Sequence, residues 1–158
     1  LYTSVYAVRA VFKKRTGTDF VVGPLEGLWS SPDPADFVNG IKGNWDWAML
    51  IALPAAVSTD DTSLGLTAAA AKKAHLPITG IRRLTLREAL SLQIMHLGSY
   101  DDEAPVLARL HRDVMPERGL TWNGRHHEIY LSDPRRTPAE KLKTVLRQPV
   151  TAADRPTS

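Results

Sequence analysis

The residue in this sequence best placed to do chemistry is a glutamate set in the middle of an alternating stretch. Residues 126–131 read His-His-Glu-Ile-Tyr-Leu, a strand pattern whose parity puts His126, Glu128 and Tyr130 on one face and His127, Ile129 and Leu131 on the other. A carboxylate buried among such neighbours is costly unless it is paired or protonated. Two readings follow. Glu128 is either a surface residue of an edge strand, facing solvent or paired with Arg125 or Arg135, or a carboxylate at the floor of a ligand cavity. In the second case desolvation raises its pKa and it can act as a cation partner or general base. Glu26, within Leu25-Glu26-Gly27-Leu28-Trp29, poses the same alternatives.

The four tryptophans, Trp29, Trp45, Trp47 and Trp122, fall in or beside strand patterns. Taken singly, each reads as core. Beside a buried carboxylate, together they describe a pocket for flat apolar or cationic ligands. The neighbours His126 and His127 point to opposite faces of a strand and cannot share a metal, so neither a metal nor a cofactor is expected. There is no HExxH helix, no GxSxG elbow, no GxxxxGK[ST] phosphate loop and no GxGxxG turn. With no cysteine, thiolate catalysis, disulfides and cysteine metal sites are excluded.

These residues need elements to hold them. Leu1, Val5, Val8 and Phe12 repeat at helical spacing, Lys13, Lys14 and Arg15 suit the negative end of a helix dipole, and Gly17 ends the pattern. No cap can precede a helix that opens at the first residue, so a preceding element is expected to be missing. Residues 19–29 read as an edge strand bent at Gly23-Pro24, Asp33-Pro34 as the start of a helical turn over 35–38, and residues 45–53 as a strand with both faces buried. A helix follows from Thr59 to about His75, and Pro77 stops it. Strands are predicted near 81–86 and 89–97. Residues 100–103 lead into a helix with Val106 or Leu107, Leu110 and Val114 inside, and the next strand is 126–131. Thr137-Pro138-Ala139-Glu140 reads as a capping box, and residues 144–150 as a last strand. The order is a duplicated β-α-β-β module lacking its first strand, with the segments around Glu26 and Glu128 in matching strands.

The 158 residues, 43% apolar and 23% charged with net charge +3, suit one folded domain. The longest apolar run, residues 47–57, carries a proline and is too short to span a membrane. The dibasic pairs Lys13-Lys14, Arg82-Arg83 and Arg135-Arg136 are dispersed, so no direct nucleic-acid partner is expected. The lack of cysteine and of a signal-like start favours the cytoplasm.

Several blocks carry a family resemblance. They are Pro24-Leu25-Glu26-Gly27-Leu28-Trp29, then Trp45-Asp46-Trp47, then Leu92-Gln93-Ile94-Met95-His96-Leu97-Gly98 running into Tyr100-Asp101-Asp102-Glu103. The block from His126 to Arg136 and the closing Glu140-Lys141-Leu142-Lys143-Thr144-Val145 complete the set. They resemble the GyrI-like small-molecule-binding proteins, relatives of the effector domains of multidrug-sensing transcription regulators. The resemblance implies an α+β fold of tandem pseudo-symmetric β-α-β-β modules (SHS2-like), with antiparallel sheets around a central ligand cleft. Module one would cover 1–57, a linker helix 58–77 and module two 78–150, with 151–158 a frayed tail.

The resemblance also places Glu128 in the pocket. One similar subgroup hydrolyses the strained cyclopropane of DNA-alkylating natural products such as yatakemycin and CC-1065, which implies self-protection against xenobiotics. The partners implied are hydrophobic aromatic small molecules. Ring opening would need a base and a hydrogen-bond donor to the developing phenolate, roles given to Glu128 and to Tyr130 or Tyr100. Trp29, Trp47, Trp122, Glu26 and His96 would contact the ligand. The alternatives are a non-catalytic drug-binding or sequestering module and the effector half of a transcription regulator.

Overall fold

In the computed structural model, which describes residues 1–33 and 42–153, the chain is a mixed α+β protein that divides into two compact units. The first comprises Leu1–Pro24 and Met49–Leu86. Its helices are α1 (Tyr2–Thr16) and α2 (Thr59–Lys72). The apolar spacing of α1 buries Val5, Val8 and Phe12, and Gly17 closes it in a left-handed turn (φ 73°) whose N–H donates to Lys13 O. The α2 helix opens on a reciprocal cap. Asp61 N–H donates to Ser58 Oγ while Ser58 N–H donates to Asp61 Oδ2. The same carboxylate receives both Arg15 Nε and Nη2, and this fork holds Asp61 below the usual carboxylate range.

Val8, Phe12 and Val57 form the core of this unit, with Phe20 and Leu53 packed against them and the Phe12 and Phe20 rings edge to face at 5.6 Å. The two helices come so close at Gly65 that an added Cβ would lie 2.6 Å from Val8 Cα. In an open helix Gly→Ala would stabilise by about 1 kcal/mol. Here Gly65→Ala is expected to destabilise by about 1–3 kcal/mol through overpacking, so the direction of the shift in the urea midpoint reports the contact.

The second unit, Leu25–Ala48 with Arg87–Ser158, holds the sheet. Its strands are β1 (Leu25–Ser30), β2 (Asp46–Leu50, which continues into the first unit), β3 (Ser91–Leu97), β4 (Leu120–Trp122), β5 (His126–Tyr130) and β6 (Lys143–Ala152). They run in the order β2-β1-β5-β6-β3, with β4 also paired to β6, and the β1–β5, β5–β6, β3–β6 and β4–β6 pairings are antiparallel. A helix, α3, spans residues 104–117. Its central turn, Arg109–Val114, is widened, and Met115 N–H donates five residues back to Leu110 O. Pro116 accounts for the widening. It offers no N–H and its ring would press on the carbonyl four residues earlier, so the i→i−4 ladder cannot continue there. No helix among the described residues is long and apolar enough to cross a membrane.

Several expectations need correction. Residues 19–22 and 81–86 are not strands. Val21 is 92% exposed, so the alternation there covers nothing, and Arg83 turns to Val57 O and Thr62 Oγ1 within its own unit. The β2 strand is shorter than 45–53 and is not buried on both faces, since Asp46 is exposed and Trp47 is 64% exposed. The α2 helix stops at Lys72 rather than His75. Thr137 makes no capping box. The turn it precedes is a single 3-10 turn, Ala139–Lys141, without a side-chain cap. Thr151 and Ala152 belong to β6 and are not a frayed tail, and β4 was not foreseen. The turn expected over 35–38 lies outside the described residues.

Candidate functional site

The register of β1, β5, β6 and β3 assigns every side chain to a sheet face. On one face Gly27 sits opposite Glu128, which sits opposite Leu146, which sits opposite Ile94. One row over, Leu25, Tyr130, Thr144 and His96 align, and on the other side Trp29 pairs with His126. Glu128 is only 8% exposed, yet its β1 neighbour is a glycine, so no side chain from β1 stands over the carboxylate at that step.

Tyr130 Oη donates to Glu128 Oε2 at 2.7 Å. The other oxygen of the same carboxylate, Glu128 Oε1, lies 3.7 Å from His126 Nε2. Arg135 binds Asp133 through both Nε and Nη2. Burial, then the charge and hydrogen bond of Glu128, push the Tyr130 phenol far above its ordinary range, so it stays a neutral donor. Trp29 Nε1 lies near enough to that phenol to counter part of the rise, but too loosely to make a hydrogen bond.

Tyr100 packs edge to face on Tyr130, ring centroids 5.6 Å apart. It is 39% exposed, and its phenol is raised by burial and by the charges of Glu103, Glu128 and Asp133. Trp29 and Trp45 meet edge to face at 5.8 Å. Glu103, buried at the start of α3, acts on both tyrosines. The result is a buried carboxylate with an attached phenol, a second phenol reaching solvent, an indole pair and a second acid nearby. The local field is negative and the lining aromatic, which suits planar apolar or cationic groups.

Of the residues singled out from sequence, Glu128, Tyr130, Tyr100 and Trp29 come together here. Trp122 stacks at 4.2 Å on His111, whose ring lies 6.0 Å from that of His126 on the Glu128 face. His96 is on the same face two strands from Tyr130, but its Nε2 is turned to Ser99 O at 3.0 Å. Trp47 lies on β2, largely exposed. Glu26 is elsewhere: it pairs with Ile129, on the opposite face from Glu128, so the two glutamates do not converge. There it meets His127, whose Nε2 is 2.9 Å from Glu26 Oε2 and whose Nδ1 is 2.9 Å from Glu88 Oε1, with Arg147 Nη1 also donating to Glu88. Both ring nitrogens are thereby occupied. Among the described residues no group of three or more His, Asp or Glu could hold a metal ion.

Glu103, Glu88 and His111 were not among the candidates, whereas Trp45 was one of the four tryptophans read as pocket walls. Glu103 is an acid at the start of a helix, where it suits the dipole, and only its burial sets it apart. Glu88 and His111 carry no local signal, because their neighbours come from strands and turns distant in sequence.

The profile of the GyrI-like small molecule binding domain matches residues 7–151. An uncharacterized conserved protein from Listeria innocua is similar in structure, with 32% identity, a TM-score of 0.81, and coverage of 96% of this chain and 76% of the other. A hydrolase from the same organism is similar at 30% identity and TM-score 0.78, with the same coverage. A further hydrolase, encoded by lin2189 from Listeria innocua, matches at 30% identity and TM-score 0.77, again over 96% and 76%. No curated protein matches the chain.

Proposed function

Because the chain belongs to the GyrI-like family of small-molecule-binding domains, we propose that the Glu128 face of the sheet binds a planar aromatic xenobiotic in the cytoplasm and hydrolyses a strained cyclopropane on it. The observation that carries this reading is the 2.7 Å hydrogen bond from Tyr130 to Glu128, set among Trp29, Trp45 and Tyr100. A carboxylate held by a hydrogen bond beside aromatic walls is what addition of water to a bound flat ring requires. Two of the similar structures are hydrolases, which supports turnover.

In the reaction Glu128 takes a proton from a water molecule, the water oxygen bonds to the strained carbon, and the ring C–C bond breaks. Its electron pair moves into the conjugated dienone, which becomes a phenolate. Tyr130 already donates its hydrogen bond to Glu128, so Tyr100, a neutral phenol reaching solvent, is the one available to donate a hydrogen bond to the developing phenolate oxygen. Solvent then protonates the phenolate and takes up the proton held by Glu128. Strain relief and aromatisation drive the step, so this modest set of groups suffices.

The test is incubation of a cyclopropane-bearing alkylator of the yatakemycin or CC-1065 kind with sub-stoichiometric protein, following ring-opened product by mass spectrometry. Many product molecules per protein are expected. Product that stops at one equivalent leaves a sequestering protein, and no product together with no quenching of tryptophan fluorescence overturns the site.

A further inference from the structure

His111 sits on the widened turn of α3, is 7% exposed, and has both ring nitrogens buried without a hydrogen-bond partner among the described residues. Its ring is tilted 42° against Trp122, a contact that leaves the in-plane N–H and lone pair unsatisfied. A further buried oxygen, Thr144 Oγ1 on strand β6, is in the same condition. Native interiors leave few such groups, and each one left unmet costs about 1–3 kcal/mol. Widened helical turns are frequent at functional sites.

We propose that His111 is a specificity-determining residue of the ligand site, exchanging a hydrogen bond with a neutral hydroxyl or amide substituent of the bound aromatic molecule. This rests on the reading of the Glu128 face as that site. The choice of a neutral group follows from the surroundings. Burial lowers the His111 pKa to about 4, so the ring is uncharged at pH 7 and offers one donor and one acceptor, with no cation for a carboxylate or phosphate. His126 beside it is likewise held neutral, at about 3, by burial and by His111 and His127, which outweigh its hydrogen bond with Gln148. Glu103 and Glu128 would repel an anion in the neighbouring aromatic site.

The experiment compares naphthalene, 2-naphthol and 2-naphthoate by tryptophan quenching at pH 7, in the wild-type protein and in His111→Phe and His111→Gln. The wild type is expected to prefer 2-naphthol over naphthalene by about tenfold, the worth of one buried hydrogen bond, and to bind 2-naphthoate weakest. His111→Phe should bring the ratio of 2-naphthol to naphthalene affinity close to unity, and His111→Gln, which retains a donor and an acceptor, should restore most of it. An unchanged preference in His111→Phe, or no preference in the wild type, overturns the role of His111 and leaves the aromatic site standing. If the wild type binds none of the three, the reading of the site itself falls, and this inference with it.

Discussion

Glu128→Gln is expected to lower turnover of the cyclopropane substrate by about 10²–10⁴-fold while leaving its capture nearly intact, because positioned general bases contribute on that scale. The amide keeps the shape of the carboxylate, and its oxygen can still accept from Tyr130 Oη, which lies 2.7 Å from Glu128 Oε2. The walls at Trp29, Trp45 and Tyr100 make no use of the charge in their ring contacts, so a quenching titration should report an affinity within a few-fold of wild type. What is lost is the ability to take a proton from water. Rate and affinity therefore separate, with kcat falling and KM little changed, while the ligand-binding capacity of the preparation stays that of the wild type, which a misfolded fraction would lower. A Glu128→Gln protein that turned over at the original rate would transfer the base role to Glu103, the other carboxylate acting on both tyrosines. Substitution of Glu103 would then show the loss instead.

Much of this site could be read from the sequence, and the parts that could not share one cause. Alternation along residues 126–131 put Glu128 and Tyr130 on one face, and two-residue spacing in a strand is what allows the phenol to reach the carboxylate. Helix α1 and the start of α2 at Thr59 were legible because their signals are local: apolar spacing, a glycine that ends the helix, and acids in the first turn. Register is not local. The match between the segments around Glu26 and Glu128 suggested two symmetry-related carboxylates, yet a register that puts Gly27 rather than Glu26 opposite Glu128 sends them to opposite faces. Residues 81–86 had strand composition but no ladder to join, and the hydrogen bonds of Arg83 are made to the start of α2 instead. The widened turn of α3 has a visible cause in Pro116, but a buried imidazole without a hydrogen-bond partner among the described residues depends on Trp122 of β4 and His126 of β5, which come from further along the chain.

The largest effect on stability is expected at His127, on the face away from Glu128. Carboxylates only accept, and both ring nitrogens lie about one hydrogen bond from a carboxylate, Nδ1 from Glu88 at 2.9 Å and Nε2 from Glu26 at 2.9 Å. Both nitrogens must therefore carry hydrogen, and His127 is an imidazolium. Burial alone would lower its pKa, but the hydrogen bonds to Glu26 and Glu88 and their charges outweigh it, and the value is raised above the ordinary 6.5. Arg147 Nη1 completes the balance at Glu88. Replacing His127 by Gln leaves at least one buried carboxylate without its cation, a change that costs about 3–5 kcal/mol, or on the order of 10 °C in Tm for a chain of this size. The pH dependence follows from the direction of the shift. A raised folded pKa means that the stabilisation is complete below the unfolded value of about 6.5 and is lost as the pH rises through the folded one. In urea titrations the wild type should exceed His127→Gln by the full margin at pH 6, and the gap should narrow as the pH rises through the raised pKa of the folded protein and the ring loses its charge. A gap that stayed constant over that range would mean that one glutamate, rather than His127, holds the proton. Pairing His127→Leu with Glu26→Leu should then recover part of the loss, since removing both members of a buried pair is less costly than orphaning one.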